Sequence, residues 1–312
     1  MARRAKEQDK NTMPHDKQDR KGILPLRNDI IFKMTFGDAR NKHILRAFLS
    51  AVLDLPEDEY DELEIIDPNL RVGAPEEKLG ILDVHVRTKS GKQLDVEIQI
   101  ARTPFMEERI TAYTSKMLAA QLSIGEKYAE LKKVITVVIL AYDLIKDSER
   151  FHNKYMLYDA QTKSLFTNII EIHTLEWQKL PAESDDINTD EKTARQILWL
   201  RLIKAEREDE VEMLATKNPE IQEAYDVLKK LSESEEVRLL YESREKAIWD
   251  EQARLYSATK EGFDKGIEQG IEKGEKKKAV EMAKNLLSYG VSPDIIAESS
   301  GLSLDVIQSL MK

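Results

Sequence analysis

Two runs of alternating apolar and polar residues constrain this chain most. Leu82-Asp83-Val84-His85-Val86-Arg87 and Gln93-Leu94-Asp95-Val96-Glu97-Ile98-Gln99-Ile100 flank the short stretch Thr88-Lys89-Ser90-Gly91-Lys92. A period of two on either side of a glycine-containing linker predicts a β-hairpin. Leu82, Val84 and Val86 fall on one face with Leu94, Val96, Ile98 and Ile100, and Asp83, His85 and Arg87 on the other with Gln93, Asp95, Glu97 and Gln99. A two-residue turn at Ser90-Gly91 would set Asp83 across from Ile98 and put apolar beside polar. A three-residue turn, Lys89 to Gly91 with Gly91 left-handed, sets Asp83 opposite Glu97 and His85 opposite Asp95.

Like charges directly opposed on a hairpin are destabilising, so Asp83 beside Glu97 needs a compensating cation. Two readings stand at this point. A divalent metal such as Mg²⁺ takes carboxylate oxygens and water. Alternatively the acids form a solvated outer face, with His85 and Arg87 softening the repulsion.

Gly80-Ile81-Leu82-Asp83-Val84, the turn with Gly91, and Val96-Glu97-Ile98-Gln99 resemble the core of the PD-(D/E)XK nuclease superfamily. More closely, the chain resembles its recombination-promoting nuclease (Rpn) and transposase group. Asn28-Asp29-Ile30-Ile31-Phe32-Lys33 with Phe36-Gly37, and a segment carrying Arg109, Tyr113, Gln121, Gly125 and Tyr128, match as well, so the similarity covers about Leu24 to Leu180. It implies an α/β fold with a mixed sheet flanked by helices. It implies further that Asp83 and Glu97 bind Mg²⁺, with Mn²⁺ as a substitute, and that Gln99 occupies the position of the superfamily lysine that orients or activates water. Leu82 stands where the motif has proline, which touches no ligand. Gln99 carries no positive charge and cannot act as a base, so water activation falls more heavily on the metal.

The chain has 312 residues, which favours one main domain plus an extension. It has no cysteine, which removes disulfides and thiolate metal sites. Apolar runs of spanning length and a signal segment are lacking, so a cytoplasmic protein without membrane contact is expected. The net charge of −10 counts against nucleic-acid binding, although a local basic face matters more than the sum.

Four regions are expected: a disordered leader over 1–22, the nuclease-like domain over 23–185, a charged helical region over 190–278 and a small amphipathic helical tail over 279–312. A helix starts at Asn28-Asp29 and breaks at Gly37-Asp38. Asp29 and Lys33 have the spacing of a helix ion pair, and the resemblance places both near the site. Leu63 to Val72 has weak strand character and leads into the hairpin through Pro75-Glu76-Glu77. Thr103 or Pro104 opens a long helix. Arg102, Arg109 and Lys116 either meet phosphate near the carboxylates or pair with Glu107, Glu108 or Glu126 at the surface, and the resemblance keeps Gln121 among the candidates. Val134 to Ala141 reads as a strand covered on both faces, and Tyr155 to Asp159 and Leu165 to His173 as two more. His152 and His173 read as isolated and structural. Thr193 to Lys204 either packs back on the core or opens a separate bundle. Glycine at 262, 266, 270 and 274 lines one face of a charged helix, either a flexible connector or a seam for a homo-oligomer. The tail resembles a helix-turn-helix capped by Ser292 and Ser303. With no basic residue in its second helix before Lys312, it reads as a folding or protein-contact module.

These features lead to a Mg²⁺-dependent DNA endonuclease of recombination or mobile-element biology, its site at Asp83, Glu97 and Gln99. The competing class is a non-catalytic scaffold that binds protein or DNA and oligomerises through its helical tail.

Overall fold

A computed structural model describes residues 22–67, 82–123, 125, 127–182 and 189–311. The leader expected over 1–22 lies outside them except for Gly22, as do the Pro75-Glu76-Glu77 loop and Glu126. The chain divides into two compact units, one ending at Glu242 and one beginning at Ser243. Among the described residues no helix is long and apolar enough to cross a membrane.

In the first unit, β1 (Glu64–Ile65), β2 (Val84–Arg87), β3 (Gln93–Gln99), β4 (Val134–Leu140), β5 (His152–Tyr158) and β6 (Leu165–Glu176) form one sheet in the order β1-β2-β3-β4-β6-β5. β3, β4 and β6 are parallel, while β1–β2, β2–β3 and β5–β6 pair antiparallel. This is the mixed α/β sheet that the resemblance implies.

The hairpin has the register that the alternation demands: Val84 opposite Val96, His85 opposite Asp95, Val86 opposite Leu94. Its loop is Lys89 to Gly91, closed by Thr88 N–H to Lys92 O at 2.9 Å, with Gly91 at φ +87°. One departure follows from a bend at Asp83, which delays β2 until Val84. Val84 and Val86 join the large core, but Leu82 packs with Met117 and Val134 instead.

Helices α1 (Asp29–Phe36) and α2 (Lys42–Val52) cover one side of the sheet, and α3 (Met106–Ala119) covers the other. The Asn28 side chain caps α1 by accepting from Ile30 N and Ile31 N, and Gly37 ends it. The start of α3 falls later than Thr103-Pro104, because Phe105 takes a left-handed conformation (φ 59°) just before Met106. All of β4 is buried, as a central parallel strand between two layers must be.

Helices α4 (Glu191–Lys204), α5 (Glu208–Ala215) and α6 (Pro219–Glu233) belong to the same core as α1 and α2. Of the two alternatives for Thr193 to Lys204, packing back on the core is the one that holds. Phe32, Phe36, Phe48 and Trp199 form an aromatic cluster with centroids 4.7 to 6.1 Å apart.

The hairpin loop is anchored by Glu59, which accepts from Thr88 Oγ1 (2.6 Å) and Ser90 Oγ (2.8 Å) and pairs with Lys92. Burial alone would raise its pKa, but the Lys92, Thr88 and Ser90 donors outweigh that and hold it at about 2. A carboxylate depressed below its unfolded value of 4.5 contributes stability above that pH and loses it as pH falls toward 2. Glu59→Gln is therefore expected to cost about 2 kcal/mol at neutral pH. In thermal melts the gap to the parent protein should start to narrow near the unfolded value of 4.5 and close as pH falls to about 2, and a gap independent of pH would contradict this.

Helix α7 (Glu235–Ser288) begins in the first unit. Within the second unit it exposes Trp249, Leu255, Tyr256, Phe263, Ile267 and Ile271. Its end packs with α8 (Pro293–Ser300) and α9 (Leu304–Leu310) around Ala283, Ile296 and Ile307. Ser303 caps α9 through Val306 N, whereas the Ser292 side chain makes no cap bond and Pro293 opens α8.

Candidate active site

The alternation of β3 decides which side chains meet. Leu94, Val96 and Ile98 enter the core beneath α1 and α2, so Asp95, Glu97 and Gln99 take the opposite face. That face is buried. Asp95 is 0% exposed and Glu97 4%, so these acids are not a solvated outer surface.

Asp83, at the bend before β2, is tied across the hairpin because its Oδ2 accepts from Ile98 N at 3.1 Å. Its Oδ1 lies 2.9 Å from Lys33 Nζ of α1. Gln99 Nε2 donates to Glu97 Oε2 at 3.4 Å. His85 does not soften the cluster: its ring nitrogens face Asp67 O (3.2 Å) and Gln93 Oε1 (3.3 Å). Arg87 pairs with Glu64 instead.

The electrostatics follow from crowding acids in a dry place. Burial, then the charges of Glu97 and Asp83, push the Asp95 carboxyl well above the usual range. Neither Asp95 oxygen has a hydrogen-bond partner. Burial and the Asp83 charge push Glu97 up to about 7, against the opposing pull of Arg109.

Further polar atoms are left unsatisfied on β3 and on the segments that follow β3 and β4. Glu97 Oε1, Arg109 Nε, Thr103 Oγ1 and the Tyr142 hydroxyl are buried without a hydrogen-bond partner. Arg109 lies over the Tyr113 ring at 5.4 Å and Arg102 over the Tyr142 ring at 5.9 Å. These groups stand where β3 and β4 end and α3 begins. The carboxyl ends of parallel strands are where open α/β sheets bind ligands.

A family model described as PD-(D/E)XK nuclease family transposase matches residues 26–258. The chain belongs to this family. Neither a curated protein nor a solved structure matches it. The acids that the sequence resemblance offers for a metal, Asp83 and Glu97, come one from each arm of the hairpin. Among the described residues no group of three or more His, Asp or Glu side chains comes together as a ready metal cage. Mg²⁺ does not require one, since it commonly takes one or two carboxylates and keeps several waters. Asp83 with the unpartnered Glu97 Oε1 fits such an ion.

Of the other candidates, Lys33 and Arg109 reach the cluster, Lys33 by contact with Asp83 and Arg109 through its field on Glu97. Gln121 is occupied elsewhere: its amide accepts from Lys132 N at 2.8 Å and donates to Lys132 O at 3.0 Å, pinning the approach to β4. Asp29 Oδ1 accepts from Ile30 N in its own helix. Sequence reasoning passed over Asp95 as a member of the site, although the period of two that placed Glu97 placed it as well. Thr103 and Tyr142 carried no signal, because they come from loops.

One expectation needs correcting. His152 and His173 are not isolated: His152 Nε2 lies 2.7 Å from His173 Nδ1, and His173 Nε2 lies 2.7 Å from Glu171 Oε1. Gln196 Oε1 closes the chain on His152 at 3.2 Å. The antiparallel β5–β6 pairing, His152 opposite Leu175 and Lys154 opposite His173, joins residues that sequence spacing kept apart.

Proposed function

We propose that this protein is a divalent-metal-dependent DNA endonuclease that hydrolyses phosphodiester bonds in recombination or mobile-element transfer, with Mg²⁺ as its ion and Mn²⁺ as a substitute. The reading places it in the cytoplasm with its DNA. One observation carries the proposal: Asp95 and Glu97 are buried beside the partly buried Asp83, and Glu97 Oε1 has no hydrogen-bond partner. A fold does not keep such acids together unaided, because each buried charge without a counter-ion is costly.

Asp83 and Glu97 would hold the ion. A bound divalent cation supplies polarisation of the phosphate and a water of lowered pKa. The chain's residues do the rest. Gln99 donates to Glu97 and so fixes the carboxylate's orientation, and its amide oxygen remains as an acceptor to place a water. Burial and the neighbouring acids push the Asp95 carboxyl upward, which favours its uncharged form in a site that must admit an anionic substrate. Arg109, held on Tyr113, supplies positive charge facing Glu97 from α3.

The test is nicking of supercoiled plasmid by the full-length protein with Mg²⁺ or with EDTA. Open circles should form only with Mg²⁺, and Glu97→Ala should lower the rate by about 100-fold or more. If Glu97→Ala nicks as fast as the parent, or the parent nicks nothing, the endonuclease reading fails and the fold serves as a binding scaffold.

A further inference from the structure

The acidic cluster requires a cation even before a metal arrives, and β3 provides none, since Gln99 is neutral. Lys33 meets the need from outside the hairpin, with its ammonium 2.9 Å from Asp83 Oδ1. The fold sets this up deliberately. Asn28 fixes the start of α1 and Gly37 its end, where the Gly37 N–H bonds Lys33 O at 2.7 Å. A Cβ on Gly37 would stand 3.8 Å from Val84 Cγ2, so the end of α1 rests on the residue next to Asp83.

The pair is also made to be broken. The Lys33 side chain is 40% exposed and the Asp83 side chain 16%, so the carboxylate is fixed and sheltered while the ammonium stays at the water boundary. Asp83 keeps its second oxygen on Ile98 N and does not depend on Lys33 for its position. An exposed ion pair of this kind is weak, and lysine is a compact, well-hydrated charge on a flexible stem.

We propose that Lys33 is the resident cation of this site: it neutralises Asp83 in the metal-free protein, gives way when a divalent ion binds Asp83, and then offers its ammonium to the anionic phosphate of the substrate. The metal exchange follows from the Lys33–Asp83 contact, and the last step rests on the endonuclease reading above. Lys33 thereby supplies from a helix the positive charge that Gln99 cannot supply from the strand.

The experiment compares the parent with Lys33→Met, Lys33→Arg and the double variant Lys33→Met/Gln99→Lys, each first checked for a parent-like thermal melt. Calorimetric titration with Mn²⁺ alone reads the exchange. Lys33→Met should bind Mn²⁺ roughly threefold more tightly, the worth of the exposed ion pair it no longer has to displace. Unchanged or weaker binding would overturn the exchange. Plasmid nicking reads the second role. Lys33→Met should lose about 100-fold in kcat with KM for DNA nearly unchanged, as when one group aimed at developing charge is removed. Lys33→Arg should retain most of the rate, and Gln99→Lys should recover at least tenfold of what Lys33→Met loses. A Lys33→Met rate within threefold of the parent, or no recovery in the double variant, overturns the phosphate role. If the parent binds Mn²⁺ but nicks nothing, the endonuclease reading and the phosphate role fall together, while the titration still decides the exchange.

Discussion

Asp83→Ala should remove metal-dependent nicking altogether, at least about 1000-fold, while the protein melts within a few degrees of the parent. Two losses and one gain set the stability. Ile98 N loses its acceptor, a cost of about 1 to 2 kcal/mol. Lys33 loses a partner but is 40% exposed and is received by water. Against these, removing Asp83 relieves the repulsion that raises both Asp95 and Glu97. Activity has no such compensation, because Asp83 is one of two carboxylates offered to the ion and comes from the arm that Glu97 does not share. Asp83→Asn sharpens the comparison: it keeps an acceptor for Ile98 N but halves the charge of the pair. Calorimetry with Mn²⁺ should show binding strongly weakened in Asp83→Asn and undetectable in Asp83→Ala. Parent-like nicking by Asp83→Ala would remove this residue from the site.

The hairpin was legible in the sequence because three independent constraints agree on it: the period of two, the glycine at the only point where a left-handed residue is needed, and the penalty for a slipped register. Gly91 at φ +87° and His85 opposite Asp95 are the result. β4 was legible for a similar reason, since a continuous apolar run of that length suits a strand covered on both sides. What escaped depends on pairing between distant segments. Alternation says that Asp95 and Glu97 share a face, but not that α3 will bury it. The histidine chain on β5 and β6 needs a register that no local pattern announces. The bend at Asp83, which sends Leu82 to Met117 and Val134, interrupts an alternation that looks unbroken on paper.

Trp199→Ala should be the most destabilising single change in the first unit, about 3 to 5 kcal/mol. With a total stability of order 10 kcal/mol for a domain, that corresponds to a fall of roughly 10 °C in Tm. Trp199 is 1% exposed and lies against Phe36 (6.1 Å) and edge-on to Phe48 (5.8 Å), so its removal opens a cavity among side chains from α1, α2 and α4. The sequence could not decide whether this segment joined the nuclease-like core, because α4 is apolar around most of its circumference: Ile197, Trp199, Leu200, Leu202 and Ile203 are all buried. A helix without a clear polar face has neighbours on several sides, and here they are α2, which covers the sheet, and the helices α5 and α6. It follows that a chain ended at residue 189, just after the nuclease-like region expected from sequence, should fail to fold. Such a fragment would leave Phe36 and Phe48 facing water and remove the Gln196 amide that donates to Ala51 O at 2.9 Å. Chemical denaturation followed by tryptophan fluorescence and circular dichroism checks both claims, through a lowered midpoint for Trp199→Ala and no cooperative transition for the fragment. A cooperative, parent-like transition in the 1–189 fragment would mean that α4 to α6 decorate the nuclease fold without completing it.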